Sequence, residues 1–269
     1  IKFSEIALAI INKAESYTDQ ANAYKNLSTV EKLKGHYANS IMYNYKAQAL
    51  CDEANDSTCL SAIANNMATT YNLMGDYGAA VDNLLVAIAI DEALKDTLGL
   101  GIDYINLGYS YFEIKNFEKA LEYAKKSHDY LLLADDEHGQ TYSLELMASI
   151  YLGKLEPEKA KPFIDASLHL AKVTNNDYTH QNNLKQLGDY YFQKKSYDSA
   201  HHYYASSMKL NAENPYTDNL LLSTVAMARC YHAQKNIPQA IATAEEGYRL
   251  SRNGNNKNFT QEICSLLGD

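Results

Sequence analysis

The sequence has few glycines and prolines and lacks any long apolar run. Its longest apolar segments, such as residues 84–90 (LLVAIAI), are much shorter than the roughly 20 residues that cross a bilayer. We therefore expect no membrane contact from this segment. Twelve glycines and four prolines in 269 residues are too few for an all-β protein with many turns. This composition favours helices.

Positive charge is also scarce. The chain has 24 Lys and Arg residues against 33 Asp and Glu residues, which gives a formal net charge of -9. Binding to nucleic-acid phosphates requires a concentrated basic patch, and the sequence contains none. Direct binding of nucleic acid is therefore not expected. Solvated helix faces explain the acidic excess more simply than an acid-specific function does.

The four cysteines form no CxxC pair and have no zinc-site spacing with histidine, so no structural metal is expected. Cys51 and Cys59 flank a predicted turn at Asn55 and Asp56. This placement allows them to face each other between antiparallel helices and form a disulfide. Two buried free thiols are the alternative that we prefer.

Motifs that carry enzyme chemistry are missing from the sequence. None of the eight histidines lies in an HExxH or HxH motif, and the adjacent His201 and His202 would point about 100° apart on a helix. There is no GxSxG, GxGxxG or Walker-type motif, and no glycine-rich loop that could hold a phosphate. We therefore expect no enzymatic activity and no cofactor.

A forty-residue period is the main feature that the sequence does have. Residues 106–124 (NLGYSYFEIKNFEKALEYA) recur in modified form forty residues earlier and eighty residues later. Each repeat can be numbered so that a small residue occupies position 8: Ser28, Ala68, Gly108, Ala148, Gly188 and Ala228. Position 11 holds Glu31, Tyr71, Tyr111, Tyr151, Tyr191 and Tyr231. These spacings place both positions on one helical face.

The second part of each repeat has small residues at positions 20 and 27, two turns apart on one face, where they allow two helices to approach closely. Position 20 holds Ser40, Ala80, Ala120, Ala160, Ala200 and Ala240, and position 27 holds Ala47, Ala87, Ser127, Ser167, Ser207 and Gly247. Tyrosines at position 23 are expected to fill the contact with the next repeat. Position 15, between the two helices, is glycine only in the first two repeats.

These positions resemble the tetratricopeptide repeat, a helix-turn-helix unit with a small residue at 8, Tyr at 11, Ala at 20 and an aromatic near 17. The resemblance spans essentially the whole chain. It implies an all-α fold, namely an α-solenoid wound as a right-handed superhelix in a single array. Six complete repeats are expected at residues 21–56, 61–96, 101–136, 141–176, 181–216 and 221–256, with partial repeats at 1–16 and 261–269.

The repeats depart from the family pattern in length, since each has forty residues where 34 are common. We expect the second helix to take the extra residues, because turn-forming pairs such as Asn175-Asn176 fall late in each repeat. Both ends cut through a repeat, so the sequence is expected to be a segment of a longer protein. Any targeting sequence would then lie outside this segment, so the sequence does not distinguish between the bacterial cytoplasm and the periplasm as its location.

The first helices of a tetratricopeptide array line its concave groove, where the resemblance implies that a peptide or protein segment binds. Asparagine occupies position 6 in three successive repeats, and its carboxamide can pair with the main chain of an extended peptide. The groove of the O-GlcNAc transferase family has a similar row. The alternative is that these asparagines bridge neighbouring helices, but we prefer binding. The expected peptide-binding residues are Lys25, Asn26, Thr29, Asn65, Asn66, Thr69, Asn72, Asn106, Tyr109, Phe112, Lys185, Asp189 and Arg229.

Chaperone-binding members of the family hold a C-terminal carboxylate with Lys and Arg around positions 2 and 6. Position 2 of this chain holds Asn22, Ala62, Ile102, Tyr142, Asn182 and Leu222, so that clamp is not expected. We expect a non-enzymatic scaffold, which serves as the sensing or docking segment of a larger signalling or transcriptional regulator. Its repeats are similar to those of bacterial sensor kinases and regulators. The alternative is a structural oligomerisation module, which forms a homodimer through its open helix faces.

Overall fold

The computed structural model describes residues 16–213 and 217–253, and every regular element in these ranges is an α-helix. Contacts divide the chain into an N-terminal half, Ile1–Asp136, and a C-terminal half, Glu137–Asp269. The helices of the N-terminal half are α1 (Tyr17–Leu33), α2 (Tyr37–Ala54), α3 (Ser57–Met74), α4 (Tyr77–Leu94), α5 (Thr97–Glu113) and α6 (Phe117–Leu133). Those of the C-terminal half are α7 (Glu137–Gly153), α8 (Pro157–Val173), α9 (Asp177–Gln193), α10 (Tyr197–Glu213), α11 (Thr217–Ala233) and α12 (Ile237–Asn253).

Short polar side chains define where many of these helices begin. An N-cap oxygen accepts a hydrogen bond from the backbone N–H three residues later, which satisfies one of the donors left free at a helix start. For example, Asp56 Oδ1 accepts from the Cys59 N–H at 2.9 Å. The residues that cap in this way are Ser16, Asp56, Asp76, Asp96, Asn116 and Asn176.

The turn between the two helices of a repeat has the same hydrogen bonds in the described repeats, whether or not it contains glycine. In the first repeat the N–H of Gly35 donates to Lys32 O and that of His36 to Glu31 O, both at 2.9 Å. The residue at position 15 is left-handed in every repeat: Gly35, Gly75, Lys115, Leu155, Lys195 and Lys235. The later repeats therefore make the turn with non-glycine residues, which costs backbone strain.

Consecutive helices form antiparallel pairs within each half. In the N-terminal half the pairs are α1 with α2, α3 with α4 and α5 with α6, and each pair packs on the next. The first helices also contact each other, α1 with α3 and α3 with α5. The C-terminal half repeats this arrangement with α7 to α12. The predicted all-α class and the six helix pairs of the predicted α-solenoid are confirmed.

Small residues lie at the closest contacts within each pair, as predicted. Ala120, Ala160 and Ala200 at position 20 are fully buried. The serines at position 27 add a hydrogen bond across the pair: Ser127 Oγ donates to Gly101 O at 2.8 Å, and Ser167 and Ser207 make the equivalent bond. A larger side chain at either position would push the two helices apart.

The tyrosines at position 23 stack within their own helix pair and also pack at a contact between repeats. Tyr203 packs against a cluster that includes Ile164 of the preceding repeat, so the neighbour is the preceding repeat and not the next one. Tyr123 stacks on Tyr111 with ring centroids 5.4 Å apart, and Tyr203 stacks on Tyr191 at 5.3 Å. In both pairs one ring comes from the first helix and the other from the second helix of the same repeat. Position 11 therefore packs against position 23.

The extra residues of the forty-residue repeat are shared between both helices, so the expectation that the second helix takes them is wrong. First and second helices are each 17 or 18 residues long. Each first helix begins four residues before position 1, and in four repeats a capping side chain directly precedes this start. The expected partial repeats lie outside the described residues, apart from Ser16.

Cys51 and Cys59 form a disulfide that joins α2 to α3, so our preference for two free thiols is wrong. The reason is geometric. The connection between the two helices is short enough to bring the two Cα atoms to 5.8 Å, within the range that a disulfide spans. Cys230 is a buried free cysteine.

We expect Leu155→Gly to stabilise the protein. Leu155 has φ of 58° and is 75% exposed, so glycine removes a left-handed strain of about 1 to 2 kcal/mol and little packing. Part of the gain is offset by the greater freedom of glycine in the unfolded chain, which leaves about 0.5 to 1 kcal/mol. Urea denaturation would measure this change.

The matched control is Lys125→Gly, at an exposed position inside α6, which should lower the stability by about 1 kcal/mol. A loss of stability in Leu155→Gly comparable with that of the control would contradict the assigned turn.

Candidate functional site

The side chains that the sequence predicts as a binding site in the N-terminal half line one side of its three first helices. We call this surface the N-terminal first-helix face. Its members are half-buried, except for the exposed Asn26. The predicted members are Lys25, Asn26 and Thr29 on α1; Asn65, Asn66, Thr69 and Asn72 on α3; and Asn106, Tyr109 and Phe112 on α5. Lys32 of α1 lies on the same side and is counted with them, although the sequence did not predict it.

Asn66 is the centre of a network that connects α1, α2 and α3. Its Nδ2 donates to Asn44 Oδ1 at 2.9 Å and to Ser28 Oγ at 3.2 Å. Its Oδ1 accepts from Lys32 Nζ at 2.6 Å. Both ends of the amide are therefore engaged with neighbouring helices, and Asn66 acts as a helix bridge, which is the alternative to peptide binding at this position.

Lys32, at position 12 of the first repeat, contacts the second repeat. Its ammonium group donates to Asn66 Oδ1 and, at 2.7 Å, to Thr69 Oγ1. Partial burial lowers the pKa of Lys32, because removing water disfavours the charged form. Both acceptors are neutral. The ammonium group thus links α1 to α3 without a carboxylate partner among the described residues.

A second network connects α3 to α5. Asn106 Nδ2 donates to Asn65 Oδ1 at 3.2 Å, and Asn65 Nδ2 donates to Asp103 Oδ1. In the same region Ser110 Oγ donates to Asn72 Oδ1 at 2.9 Å. Asn106 and Asn72 each use one end of the amide, whereas Asn106 Oδ1 and Asn72 Nδ2 have no hydrogen-bond partner among the described residues and are not buried.

Asp103 lies beneath this network and faces a second carboxyl group, Asp91 of α4. Asp103 is only 2% exposed, and burial raises its pKa to about 7, with the nearby carboxyls of Asp91 and Asp96 adding to the increase. Burial raises the pKa of Asp91 as well. The buried Asp103 Oδ2 has no donor among the described residues. A proton on Asp103 satisfies this oxygen and removes the repulsion between the two groups.

The predicted site residues of the C-terminal half have different surroundings. Lys185 Nζ lies 2.8 Å from Asp189 Oδ2, and the same carboxylate accepts from the hydroxyl of buried Tyr204. Lys185 and Asp189 therefore neutralise each other, while Arg229 is exposed on α11. At position 6, Gln186 Nε2 bridges α9 to α7 through Ser149 Oγ at 2.7 Å.

Two important members of these networks, Lys32 and Asn44, are absent from the predicted site. Lys32 occupies position 12, which faces the groove in the family, but only the first repeat has a lysine or arginine there. Asn44 occupies position 24 of a second helix, where other repeats hold Leu84, Ala124 and Ile164. An asparagine among buried apolar residues was the signal that could have found the network.

The described part of the chain holds no group of three or more His, Cys, Asp or Glu residues arranged to bind a metal ion. Among the helices searched in the same part, none combines the length and the apolar character of a membrane span.

Comparison with known families agrees with the repeat geometry. A family model described as tetratricopeptide repeat matches residues 19–93 and 59–132. Residues 19–132 carry tetratricopeptide repeats. No curated protein matches its sequence significantly.

Several solved structures share the fold. The apo form of RapI has a TM-score of 0.76 at 15% identity, over 93% of this chain and 88% of that one. NprR in complex with its cognate peptide NprX has a TM-score of 0.75 at 15% identity, over 99% of this chain and 76% of that one. A signal transduction ATPase with numerous domains (STAND) from Pyrococcus horikoshii, which has a tetratricopeptide repeat sensor, has a TM-score of 0.70 at 19% identity. The present chain is covered to 99% in that match but spans only 42% of the STAND protein. At these identities the likeness concerns the fold of the repeats alone.

We expect Asp103→Asn to weaken the pH dependence of folding stability. The folded state binds the Asp103 proton more tightly than the unfolded state does, because the pKa rises from an ordinary 3.8 to about 7. This contribution to stability is complete below about pH 4 and is lost as the pH rises through 7. Asparagine keeps an acceptor for Asn65 and has no charge, so the variant should exceed the parent in stability near pH 8. Urea denaturation from about pH 4 to pH 8 would measure both curves.

Asp82→Asn is the matched control, since Asp82 is exposed on α4 and the change removes the same charge. An Asp103→Asn variant whose stability follows pH as steeply as this control would show that Asp103 is ionised in the folded protein throughout the range.

Proposed function

We propose that this chain is a non-enzymatic scaffold that binds an extended peptide or protein segment on its N-terminal first-helix face. We further propose that it is the sensing or docking segment of a larger signalling or transcriptional regulator. The proposal assigns peptide contacts to Asn26, Asn72 and Asn106, with Tyr109 and Phe112 beside them. Asn66 and Thr69 hold the helices and Lys32 in place.

The observation that carries this proposal is the unused hydrogen-bonding capacity of the face. Asn106 Oδ1 offers an acceptor and Asn72 Nδ2 offers donors, and each of these amides is held at its other end by a neighbouring helix. An extended peptide exposes both N–H and C=O groups along its backbone, so it can use both kinds of partner. Side chains that are already fixed lose little rotamer freedom when the peptide binds.

The aromatic residues of the face would supply apolar contact. Tyr109 and Phe112 lie on α5, and Phe112 packs against Phe117 with ring centroids 5.9 Å apart. Half-buried rings of this kind can bury a ligand side chain without further rearrangement. We assign selectivity for side chains to these rings and recognition of the backbone to the amides.

The structural comparisons support the proposal by analogy. NprR, which shares the fold, was solved with its cognate peptide, and the STAND protein has its repeats as a sensor within a longer chain. The predicted residues of the C-terminal half belong to a separate part of the proposal: we assign ligand contact there to Arg229 of α11, with Lys185 and Asp189 as a mutually neutralised pair.

A second candidate function is homodimerisation, which an exposed apolar surface on α4 favours. Leu85, Val86 and Leu94 of this helix are each about half exposed, and a monomeric helix usually covers such residues. Light scattering over a concentration series separates the two functions. A stable dimer that Val86→Lys converts to a monomer would support oligomerisation through α4.

We expect Asn26→Ala and Asn106→Ala each to weaken peptide binding by about 0.5 to 1.5 kcal/mol, the usual net value of one hydrogen bond. The ligand would be a peptide selected on an array of random-sequence synthetic peptides, and calorimetry would give the affinities. Asn83→Ala is the control, because Asn83 is half-buried on α4 and its Nδ2 already donates to Ala79 O.

Circular dichroism verifies that the three variants fold. Equal loss of affinity in all three, or an unchanged affinity in both face variants, would place the peptide elsewhere. An array that yields no binder at all would count against the peptide-binding function itself.

A further inference from the structure

We propose that Lys32 forms an oxyanion subsite on the N-terminal first-helix face, which takes a carboxylate or phosphoryl group of the bound peptide. This inference rests on the proposed function and adds the chemistry that one part of the ligand must have. The subsite consists of the Lys32 ammonium group held by Asn66 and Thr69.

The geometry leaves the ammonium group one N–H for a ligand. A lysine ammonium has three N–H donors, and two of them point at Asn66 Oδ1 and Thr69 Oγ1, at 2.6 and 2.7 Å. No carboxylate of the described residues lies within ion-pair distance of Lys32. An oxyanion that accepts the third N–H would supply the opposite charge that the protein does not.

The two acceptors are themselves fixed, so the ammonium group has a defined position. Asn66 Nδ2 is held by Asn44 and Ser28, which turns its Oδ1 towards Lys32. Thr69 donates its hydroxyl proton to Asn66 O at 2.9 Å, which leaves its lone pairs to accept from Lys32. A charged donor that is already oriented loses little freedom on binding an anion.

The nearest acidic residue along the chain is engaged elsewhere. Glu31 precedes Lys32, and its carboxylate is bound by Lys34 at 2.8 Å and contacts His36 at 2.8 Å. The chain has an excess of acidic residues, yet the described structure places none of them against this half-buried ammonium group. Partial burial lowers the pKa of Lys32, as expected for a cation that lacks a compensating charge.

Charge on the rest of the face points in the same direction. The charged members of the N-terminal first-helix face are Lys25 and Lys32, both on α1. They are seven residues apart, which is two turns or about 10 Å along one side of the helix. Thr29 lies between them. The members on α3 and α5 are neutral. An anionic group of a bound peptide is therefore drawn to the α1 end of the face.

The test uses three probes on the folded chain: N-acetyl-pentaalanine with a free C-terminal carboxylate, the same peptide as its amide, and inorganic phosphate. NMR of the lysine Cε resonances follows the environment and the pKa of Lys32 directly. We expect the free acid or phosphate to shift the Lys32 resonance and raise its pKa, and the amide to leave both unchanged. A response to the free acid alone identifies a carboxylate, and a stronger response to phosphate identifies a phosphoryl group.

Lys32→Met should weaken binding of the responding anion by about 10- to 100-fold, as for the loss of one charge-assisted hydrogen bond. Lys46→Met is the matched control. It removes an exposed lysine of α2 that lies over the rings of Tyr24 and Tyr43, so it should not change anion binding. The NMR titration uses the unmodified chain, so a Lys32→Met variant that fails to fold leaves the test intact.

The subsite would be overturned if the Lys32 resonance responded neither to the free acid nor to phosphate. Equal binding of the free acid and the amide, with no Lys32 response to phosphate, would also overturn it, while leaving the peptide-binding function in place. The reverse outcome is also distinguishable. If Lys32 responds to an anion but the peptide array yields no binder, the subsite stands and the proposed peptide-binding function fails.

Discussion

The rest of the structure depends on how closely the two helices of each repeat approach. Fully buried alanines at position 20 and serines at position 27 set this distance, and the serine hydroxyl donates directly to a carbonyl of the partner helix. At such a separation the aromatic rings of positions 11 and 23 lie close enough to stack. The same packing repeats every forty residues, so each first helix is presented with the same side exposed. The side chains of α1, α3 and α5 can then contact one another from one repeat to the next.

Much of this arrangement follows from the sequence, because packing depends on residue size and spacing. The position of Ala120 or Ser167 in the repeat is enough to predict a close contact, and Tyr111 with its equivalents predicts an aromatic layer. The sequence does not show which partner an aromatic ring takes, since Tyr123 could stack within its repeat or against the next. It also does not show that Leu155 adopts the left-handed conformation that Gly35 adopts easily. At Leu155 the packing of the two helices determines the turn, and the residue adopts a strained backbone conformation as a result.

The candidate site could be predicted only in part. The sequence identifies the face, because positions 5, 6, 9 and 12 share one side of the first helix. It does not identify how each side chain on the face is used. Asn26, Asn66 and Asn106 have the same position in the repeat, yet one is exposed, one bridges three helices and one keeps a free carbonyl. The difference arises from neighbours outside the row, such as Asn44 on α2 and Asp103 on α5, whose contacts depend on the packed structure.

The networks on the face determine what kind of ligand it suits. Each bridging hydrogen bond stabilises the contact between repeats and also removes one donor or acceptor from possible use by a ligand. Asn66 uses both N–H donors and its carbonyl oxygen in this way, whereas Asn106 and Asn72 each keep one end of the amide unused. A peptide that pairs with these remaining groups breaks no contact between the helices, so binding costs little rearrangement of the protein. The main cost is then the ordering of the peptide itself, which favours a short ligand with few conformations or one anchored by a charged group.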